Sequence, residues 1–395
     1  MIKILTVIGA RPQIIKAAAI SRAIREKFSG QVEEKILHTG QHYDQNMSAV
    51  FFDELGIPQP DYNLGVGSGN HGEQTAKMIA GIEKVLLEEH FDGILLYGDT
   101  NSTLAGAVAA SKVHVPVFHV EAGLRSYNMA MPEEINRIVC DHLSSILFSP
   151  TETGMNNLRE EGFMTSKARF KNGKDRLVVN SGDVMYDNSL YFRNLAHEKC
   201  DIIHQLRLTS NGYILATIHR DNNTDSQERL TDIFRALLDI VEKDGVKIVL
   251  PLHPRTKKLL PVNLEPSVYE RLKASEKVCI IPPASFFEII ELERHARLVM
   301  TDSGGVQKEA FFFEKPCVIL RPETEWVEIV NHGAGILADA DYSRIIKAYQ
   351  DLTDKTVQFP PLFGDGKAAE RILETIIEYL CGSSLVEGWE NLVEK

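Results

Sequence analysis

Short runs of β-branched and aliphatic residues alternate with longer stretches of helical spacing along nearly the whole chain. No other feature of the sequence limits the fold as tightly. Residues 2–8, 33–38, 93–97, 115–120 and 146–148 read as buried strands, and 12–27, 73–89, 103–112 and 132–144 as helices. Alternation at this spacing predicts a parallel sheet covered by helices on both faces. The pattern stops at the polar stretch 170–176 and then starts again. Residues 213–217, 247–251, 278–281, 298–300 and 316–320 are the second set of strands, with helices at 227–243 and 304–313. The expectation is an α/β protein of two doubly wound, Rossmann-like lobes. Their junction falls around 170–200, and a last helix, 367–380, is able to pack on either lobe.

Charge then narrows the class of partner. The chain has 395 residues, with 43 basic against 55 acidic and a formal net charge of -12. That balance argues against a nucleic-acid surface and against an anionic membrane surface. It leaves room for a small phosphorylated ligand, because a few arginines and a helix N-terminus act locally. The five cysteines form no CxxC pair, so a disulfide framework or structural zinc is not expected. No HExxH, EF-hand loop or paired Cys/His set occurs, and no metal site is expected. His38, His42 and His71 read as polar loop residues. A basic leader and an apolar run of roughly 20 residues are both missing from the pattern, and the expected compartment is the cytoplasm.

In open α/β sheets the ligand lies beyond the carboxyl ends of the strands, so the residues just after each strand are the candidates. Gly9-Ala10-Arg11-Pro12, with Lys16 one turn on, places two cations near a helix start. Neither G-x-G-x-x-G nor the G-x-x-x-x-G-K-[ST] phosphate loop is present, which disfavours a nicotinamide or ATP enzyme. Asp99 follows the third of these strands and Glu121 the fourth, while Glu133 and Glu134 open the next helix with Arg137 one turn further. Each acid alone could cap or pair. Three acids at successive strand ends meet at one sheet edge, where opposed acid and base groups belong. In the second half His219 and Arg220 end a strand, and His253 ends another. Thr301-Asp302-Ser303-Gly304-Gly305, with Glu309 further along, is the sharpest motif. Its Ser303, Gly304 and Gly305 amides at a helix start suit a diphosphate. Gly65-x-Gly67-x-Gly69 reads as a mobile loop.

The segments 9–16, 97–103, 119–126, 132–137 and 301–309 together resemble the non-hydrolysing UDP-N-acetylglucosamine 2-epimerases, in order along residues 1 to about 375. The resemblance implies the two-lobed GT-B fold, with a cleft between lobes 1–180 and 181–365 and a C-terminal helix, 366–395, returned to the first lobe. It implies no cofactor, neither nicotinamide nor metal, a homodimer, and a UDP-sugar as ligand. The implied reaction removes the C2 proton of a 2-acetamido sugar as UDP leaves C1. A bound 2-acetamidoglucal then takes UDP back, with a proton delivered to the other face. By motif, Asp99, Glu121 and Glu133 are the acid/base candidates, with the choice of C2 base left open. Arg11, Lys16, Arg137, His219 and Arg220 would hold or stabilise UDP. Ser303, Gly304, Gly305 and Glu309 would bind diphosphate and ribose, Arg321 would add a substrate contact, and the backbone around Ser285 would face uracil. The glucal would be lost to water in an open cleft, so closure on UDP is expected.

Departures from the family pattern carry information. Trp326 stands where members acting on UDP-N-acetylglucosamine commonly have arginine, and Asp221-Asn222 alters the usual His-Arg-x-Glu-Asn. Asp44, Ser68 and Gly69 replace residues of members regulated by their own substrate, so such regulation is not expected. The pattern is closer to the branch acting on UDP-2,3-diacetamido-2,3-dideoxyglucuronate for surface polysaccharides. The competing classes are a GT-B glycosyltransferase, a hydrolysing 2-epimerase and a UDP-sugar sensor.

Overall fold

The alternation of strand and helix closes into two parallel sheets. The structure, a computed structural model, describes residues 1–40, 52, 56–164, 170 and 173–382. His42 and Asp44 lie outside the described residues. The chain forms two compact units, Met1–Asn188 with Leu362–Lys395, and Ser189–Pro361.

In the first unit β1 (Ile2–Ile8), β2 (Val32–His38), β3 (Tyr62–Asn63), β4 (Gly93–Tyr97), β5 (Val117–Val120), β6 (Ile146–Ser149) and β7 (Leu177–Asn180) build a seven-stranded sheet. The order is β3-β2-β1-β4-β5-β6-β7, and every pairing is parallel. The central strands β4, β5 and β6 are buried along their whole length, as a sheet covered on both sides requires. Helix Asn101–Lys112 lies close because it is made of small residues. Ala105, Ala107, Ala109 and Ala110 are fully buried, and a Cβ on Gly106 would come within 2.5 Å of Leu96.

The second unit repeats the plan with β8 (Tyr213–Thr217), β9 (Lys247–Pro251), β10 (Val278–Ile281), β11 (Leu298–Thr301), β12 (Cys317–Ile319) and β13 (Gly335–Leu337). Its order is β10-β9-β8-β11-β12-β13, all parallel. Helix Gln227–Asp244 starts at Ser226, whose hydroxyl accepts from the Arg229 amide, and stops at Gly245 with φ 67°. Such a cap pair fixes both ends of a helix. Leu230, Phe234, Leu237 and Val241 supply its buried stripe.

Each sheet reverses its strand order once, between β1 and β4 and between β8 and β11. Those two points fix where the strand-end residues discussed below converge. β3, β7 and β13 lie at sheet edges and are mostly only partly buried, so they lack the buried aliphatic run that marks the other strands. His38 departs from its reading as a loop residue. It is the last residue of β2 and fully buried, its Nδ1 accepts from the Gly40 amide at 3.0 Å, and burial pushes its pKa down to about 4. The Gly-rich loop is tied to the end of β2 by bonds from the Leu64, Val66 and Gly67 amides.

Helix Ala368–Cys381 belongs to the first unit. Its capping residue, Lys367, makes no side-chain cap. The buried carboxylate of Asp187 does so instead, accepting from the Ala368 and Ala369 amides at 3.1 and 2.8 Å. Burial still outweighs those two bonds and raises Asp187 from 3.8 to about 6. The folded state therefore holds the proton more tightly than the unfolded chain. Asp187 loses stabilising effect as pH rises from about 4 to about 6, by about 3 kcal/mol in total. The Asp187→Asn variant should accordingly gain stability relative to the parent over that window. Denaturant melts at pH 4 and pH 7 check this, and a pH-independent difference between the proteins would refute it.

Candidate active site

The first unit assembles its charged residues from three loops at the reversal point. Gly9 ends β1 against the helix that follows β4, so closely that a Cβ there would lie 2.1 Å from Ser102 Oγ and 2.2 Å from Thr39 Oγ1. Only glycine fits that approach. Buried Gln13 then staples the two loops. Its Oε1 accepts from the Gly9 amide at 2.9 Å, and its Nε2 donates to the Tyr97 carbonyl at 3.0 Å.

Asp99 and Glu121 follow β4 and β5 and each meets a cation. Arg137 donates to both Asp99 and Glu134, and Lys16 donates to Glu121. Desolvation raises Asp99, with Arg137 and Lys16 pulling the other way and Glu121 adding to the rise. Asn136 fixes the backbone by donating to the Asp99 carbonyl at 2.9 Å. Glu121 adopts φ 73° although it carries a side chain, a conformation that costs energy and that folds retain chiefly at functional positions. The Glu121 and Ala122 amides both bond the Phe148 carbonyl at 3.0 Å, which holds the turn.

Of the two acids opening helix Pro132–Leu143, Glu133 is exposed and makes no hydrogen bond or ion pair among the described residues. Glu134 is buried and accepts from the Ser126 and Tyr127 amides as well as from Arg137. Burial opposes its charge, but these bonds and Arg137 hold it below the usual carboxylate range. The i,i+3 spacing of Glu134 and Arg137 was the available signal for this pair. Arg11, expected near the anion, is exposed at the first position of helix Arg11–Ala23.

A buried network supports these loops and was not foreseen. The His119 ring bonds Asp141 through Nδ1 at 2.7 Å and the Gly98 carbonyl through Nε2 at 2.8 Å. Both partners accept, so both ring nitrogens carry protons and the ring is cationic. Burial works against that charge, and Cys140 and the Asp141 carboxylate outweigh it, raising His119 well above its usual value. Arg125 Nη1 lies 2.8 Å from Asp141, and the Gly123 amide donates to it at 3.2 Å.

In the second unit Asp302 plays the comparable part at the other reversal point. It accepts from the His219 and Arg220 amides at 3.1 and 3.0 Å and from Asn223 at 3.1 Å. The His219 ring, half exposed, places Nδ1 3.1 Å from the same carboxylate. Burial favours the neutral acid, but His219, the Arg220 amide and Asn223 hold Asp302 below its usual value. The Ser303 amide, expected to be open to a diphosphate, already donates to Thr301 Oγ1 at 2.9 Å. Thr301 uses that bond to shape the turn at the helix start. Gly304 opens helix Gly304–Phe312 and Gly305 is exposed there. A Cβ on Gly304 would meet Glu325 at 2.2 Å, and Glu325 is held by Arg321 at 2.8 Å. Ser285 caps helix Phe286–His295 by accepting from the Glu288 amide at 3.3 Å. His253 likewise caps Pro254–Asn263. Buried Lys308 sits 4.1 Å above the Trp326 ring. Among the described residues no cluster of His, Cys, Asp and Glu could hold a metal, and no helix is long and apolar enough to cross a membrane.

Two doubly wound units, one carrying ion-paired carboxylates at its strand ends and the other a glycine-opened helix start, define an α/β protein of two Rossmann-like lobes. Residues 24–377 match the family model for UDP-N-acetylglucosamine 2-epimerase, and the chain belongs to that family. It is 49% identical over 373 residues to the UDP-2,3-diacetamido-2,3-dideoxy-D-glucuronate 2-epimerase of Pseudomonas aeruginosa, covering 94% of this chain and 98% of that protein. A UDP-N-acetylglucosamine 2-epimerase homolog of Methanococcus maripaludis is 45% identical, over 95% and 99% of the two chains. The crystal structure of the Methanocaldococcus jannaschii UDP-GlcNAc 2-epimerase in complex with UDP-GlcNAc and UDP matches with a TM-score of 0.79 at 42% identity. That match covers 95% of this chain and 99% of the other.

Gly98 tests the first-unit geometry. It has φ 62°, and a Cβ there would lie 3.1 Å from Lys16 Nζ and 3.2 Å from Glu121 Oε2. Gly98→Ala should cost about 1–2 kcal/mol of stability from the left-handed backbone. It should also lower turnover about tenfold or more by displacing the Lys16–Glu121 pair. Thermal melts with steady-state rates measure both, and a folded variant with full turnover would show that the pair is dispensable.

Proposed function

We propose that the chain inverts C2 of a UDP-linked 2-acetamido sugar by eliminating and re-adding UDP, with UDP-2,3-diacetamido-2,3-dideoxyglucuronate as substrate. The observation that carries the substrate is the 49% identity to the enzyme of that name across nearly the full length of both chains. The ion-paired carboxylates at adjacent strand ends support the chemistry.

The reaction removes a weakly acidic C2–H while the C1–O bond to UDP breaks. The C–H electron pair becomes the C1–C2 double bond, and the C1–O pair leaves with UDP. In the reverse sense UDP attacks C1 and C2 takes a proton on the opposite face. Two carboxyl groups in opposite protonation states are needed at once. Asp99, Glu121 and Glu133 are the proposed set. Burial raises Asp99, so it keeps the basicity that pairing with Arg137 would otherwise remove. Lys16 and Arg137 keep the carboxylates from repelling a dianionic leaving group. In the second unit, the Gly304 and Gly305 helix start, with His219 and Arg220 nearby in sequence order after β8, is proposed to receive the diphosphate. Glu309 is proposed to accept the ribose hydroxyls, with Arg321 and the Ser285 backbone as further contacts. The family resemblance supports a homodimer, a cytoplasmic location and a role in surface polysaccharide precursor synthesis.

Incubation in deuterium oxide tests the reading. Deuterium should enter C2 of the recovered diacetamido uronate nucleotide, far faster than C2 of UDP-N-acetylglucosamine. Absence of exchange with either sugar would refute epimerisation, and free sugar plus UDP would identify hydrolysis. Asp99→Asn should cut the exchange about a hundredfold or more with UDP affinity nearly unchanged. Normal exchange in that variant would remove Asp99 from the reaction.

A further inference from the structure

Glu134 is only 1% exposed, and the reaction as proposed gives it no part. It stands in the first turn of helix Pro132–Leu143, against the backbone of Ser126 and Tyr127. The Tyr127 amide donates to its Oε1 at 2.9 Å and the Ser126 hydroxyl to its Oε2 at 2.9 Å. The Ser126 amide reaches both oxygens, at 3.1 and 3.0 Å. Two successive amides aimed at one carboxylate make the kind of backbone nest that holds anions. Tyr127 keeps φ 57° in that turn, a costly conformation for a residue with a side chain. The nest is filled from inside the protein.

A further donor to Glu134 is Arg137, one turn along the same helix. The guanidinium is shared between two acids, Nη1 donating to Glu134 and Nη2 to Asp99. Asn136 beside it donates to the Asp99 carbonyl at 2.9 Å, so adjacent residues of one helix grip Asp99 by side chain and by backbone. A guanidinium is a rigid planar fork, and fixing one edge fixes the direction of the other. The sharing also has an electrostatic effect. A guanidinium paired with Asp99 alone would make that carboxylate a weaker base, and a second carboxylate on its other edge offsets the pull. The other charges facing Asp99 are Lys16 from helix Arg11–Ala23 and Glu121 from the turn after β5. The cationic His119 ring bonds the neighbouring Gly98 carbonyl.

We infer that Glu134 is a positioning residue for proton transfer at C2, holding one edge of the Arg137 guanidinium so that the other edge is aimed at Asp99, and supplying the negative charge that offsets Arg137 there. The inference rests on the acid/base role proposed above for Asp99. Because the nest at Ser126 and Tyr127 holds Glu134 in turn, the direction of the guanidinium is set before the substrate arrives.

The pH dependence of deuterium exchange at C2 in the parent, Glu134→Gln, Glu134→Asp and Asp99→Asn tests this. A carboxylate base loses activity as pH falls through its pKa. Glu134→Gln keeps the shape and an acceptor oxygen but removes the charge, so Arg137 acts on Asp99 without an offset. The acid limb should then move down by about one pH unit, with the plateau about tenfold lower. Glu134→Asp keeps the charge and should keep the limb of the parent, at a plateau reduced by its shorter reach. A lower plateau with an unmoved limb in Glu134→Gln would reveal a merely structural role and overturn the inference. Full exchange in Asp99→Asn would instead remove Asp99 from the reaction, and the inference would fall with that reading. Carbon-13 NMR of the intact parent, labelled in its aspartates, gives a second reading that survives misfolding of either Glu134 variant. The Asp99 carboxyl, assigned by the resonance missing from Asp99→Asn, should titrate at or above the ordinary value of about 4. Titration well below that value would overturn the offset and the inference with it.

Discussion

The acid-bearing loops of the first unit depend on one buried carboxylate. Asp141 holds the His119 ring, Arg125 and the Gly123 amide together. Through His119 it also fixes the Gly98 carbonyl. The turn that presents Asp99 and the turn that presents Glu121 are therefore both anchored to the same side chain, from beneath the sheet edge. A buried carboxylate is costly unless it is paired and hydrogen bonded, and here every contact that satisfies it also positions a loop. Removing Asp141 would leave the cationic His119 and Arg125 without their shared partner, so the geometry and the stability fail together.

The second unit solves the same problem at its own reversal point. Asp302 gathers the His219 and Arg220 amides and Asn223, and Asn223 in turn donates to the Leu320 carbonyl at 3.0 Å. Strand ends in a parallel sheet leave backbone groups that the following loops must satisfy. In both units a fully buried aspartate supplies the acceptors, and one neighbouring imidazole is drawn in with it. The two differ in exposure: His119 is sealed in as a structural cation, whereas His219 keeps half of its ring open.

The long-range order of the chain was legible because parallel strands buried on both faces must be continuously aliphatic. The runs at 2–8, 93–97 and 213–217 could hardly be anything else. Gly9, Asp99 and Glu121 were legible as well, since the position after a strand is where an α/β protein places its polar groups. The supporting residues were not. His119 lies inside a strand and Asp141 inside a helix, where period and propensity carry no trace of a partner 22 residues away. Glu134 and Glu133 are adjacent in sequence, and only the wrapping of the 126–131 loop decides which one is buried. Glu293 reads as one more charge on an amphipathic helix until the helix is seen to bury it completely.

The net charge of -12 says little about the strand ends of the first unit, because Asp99 and Glu121 are each paired with a cation there. A carboxylate gripped by a guanidinium or an ammonium is a weaker base than one in water, so pairing alone would disarm Asp99 and Glu121 for proton abstraction. Desolvation has the opposite effect, since it penalises the charged form. At Asp99 desolvation together with the Glu121 charge outweighs the pull of Arg137 and Lys16, so the carboxylate is held in place with its basicity raised rather than lowered. Neither effect would do this by itself. An exposed pair would be positioned too loosely, and a buried acid without cations would stay protonated. The role proposed for Asp99 therefore rests both on the sheet edge that partly desolvates it and on the helix Pro132–Leu143 that delivers Arg137 to it.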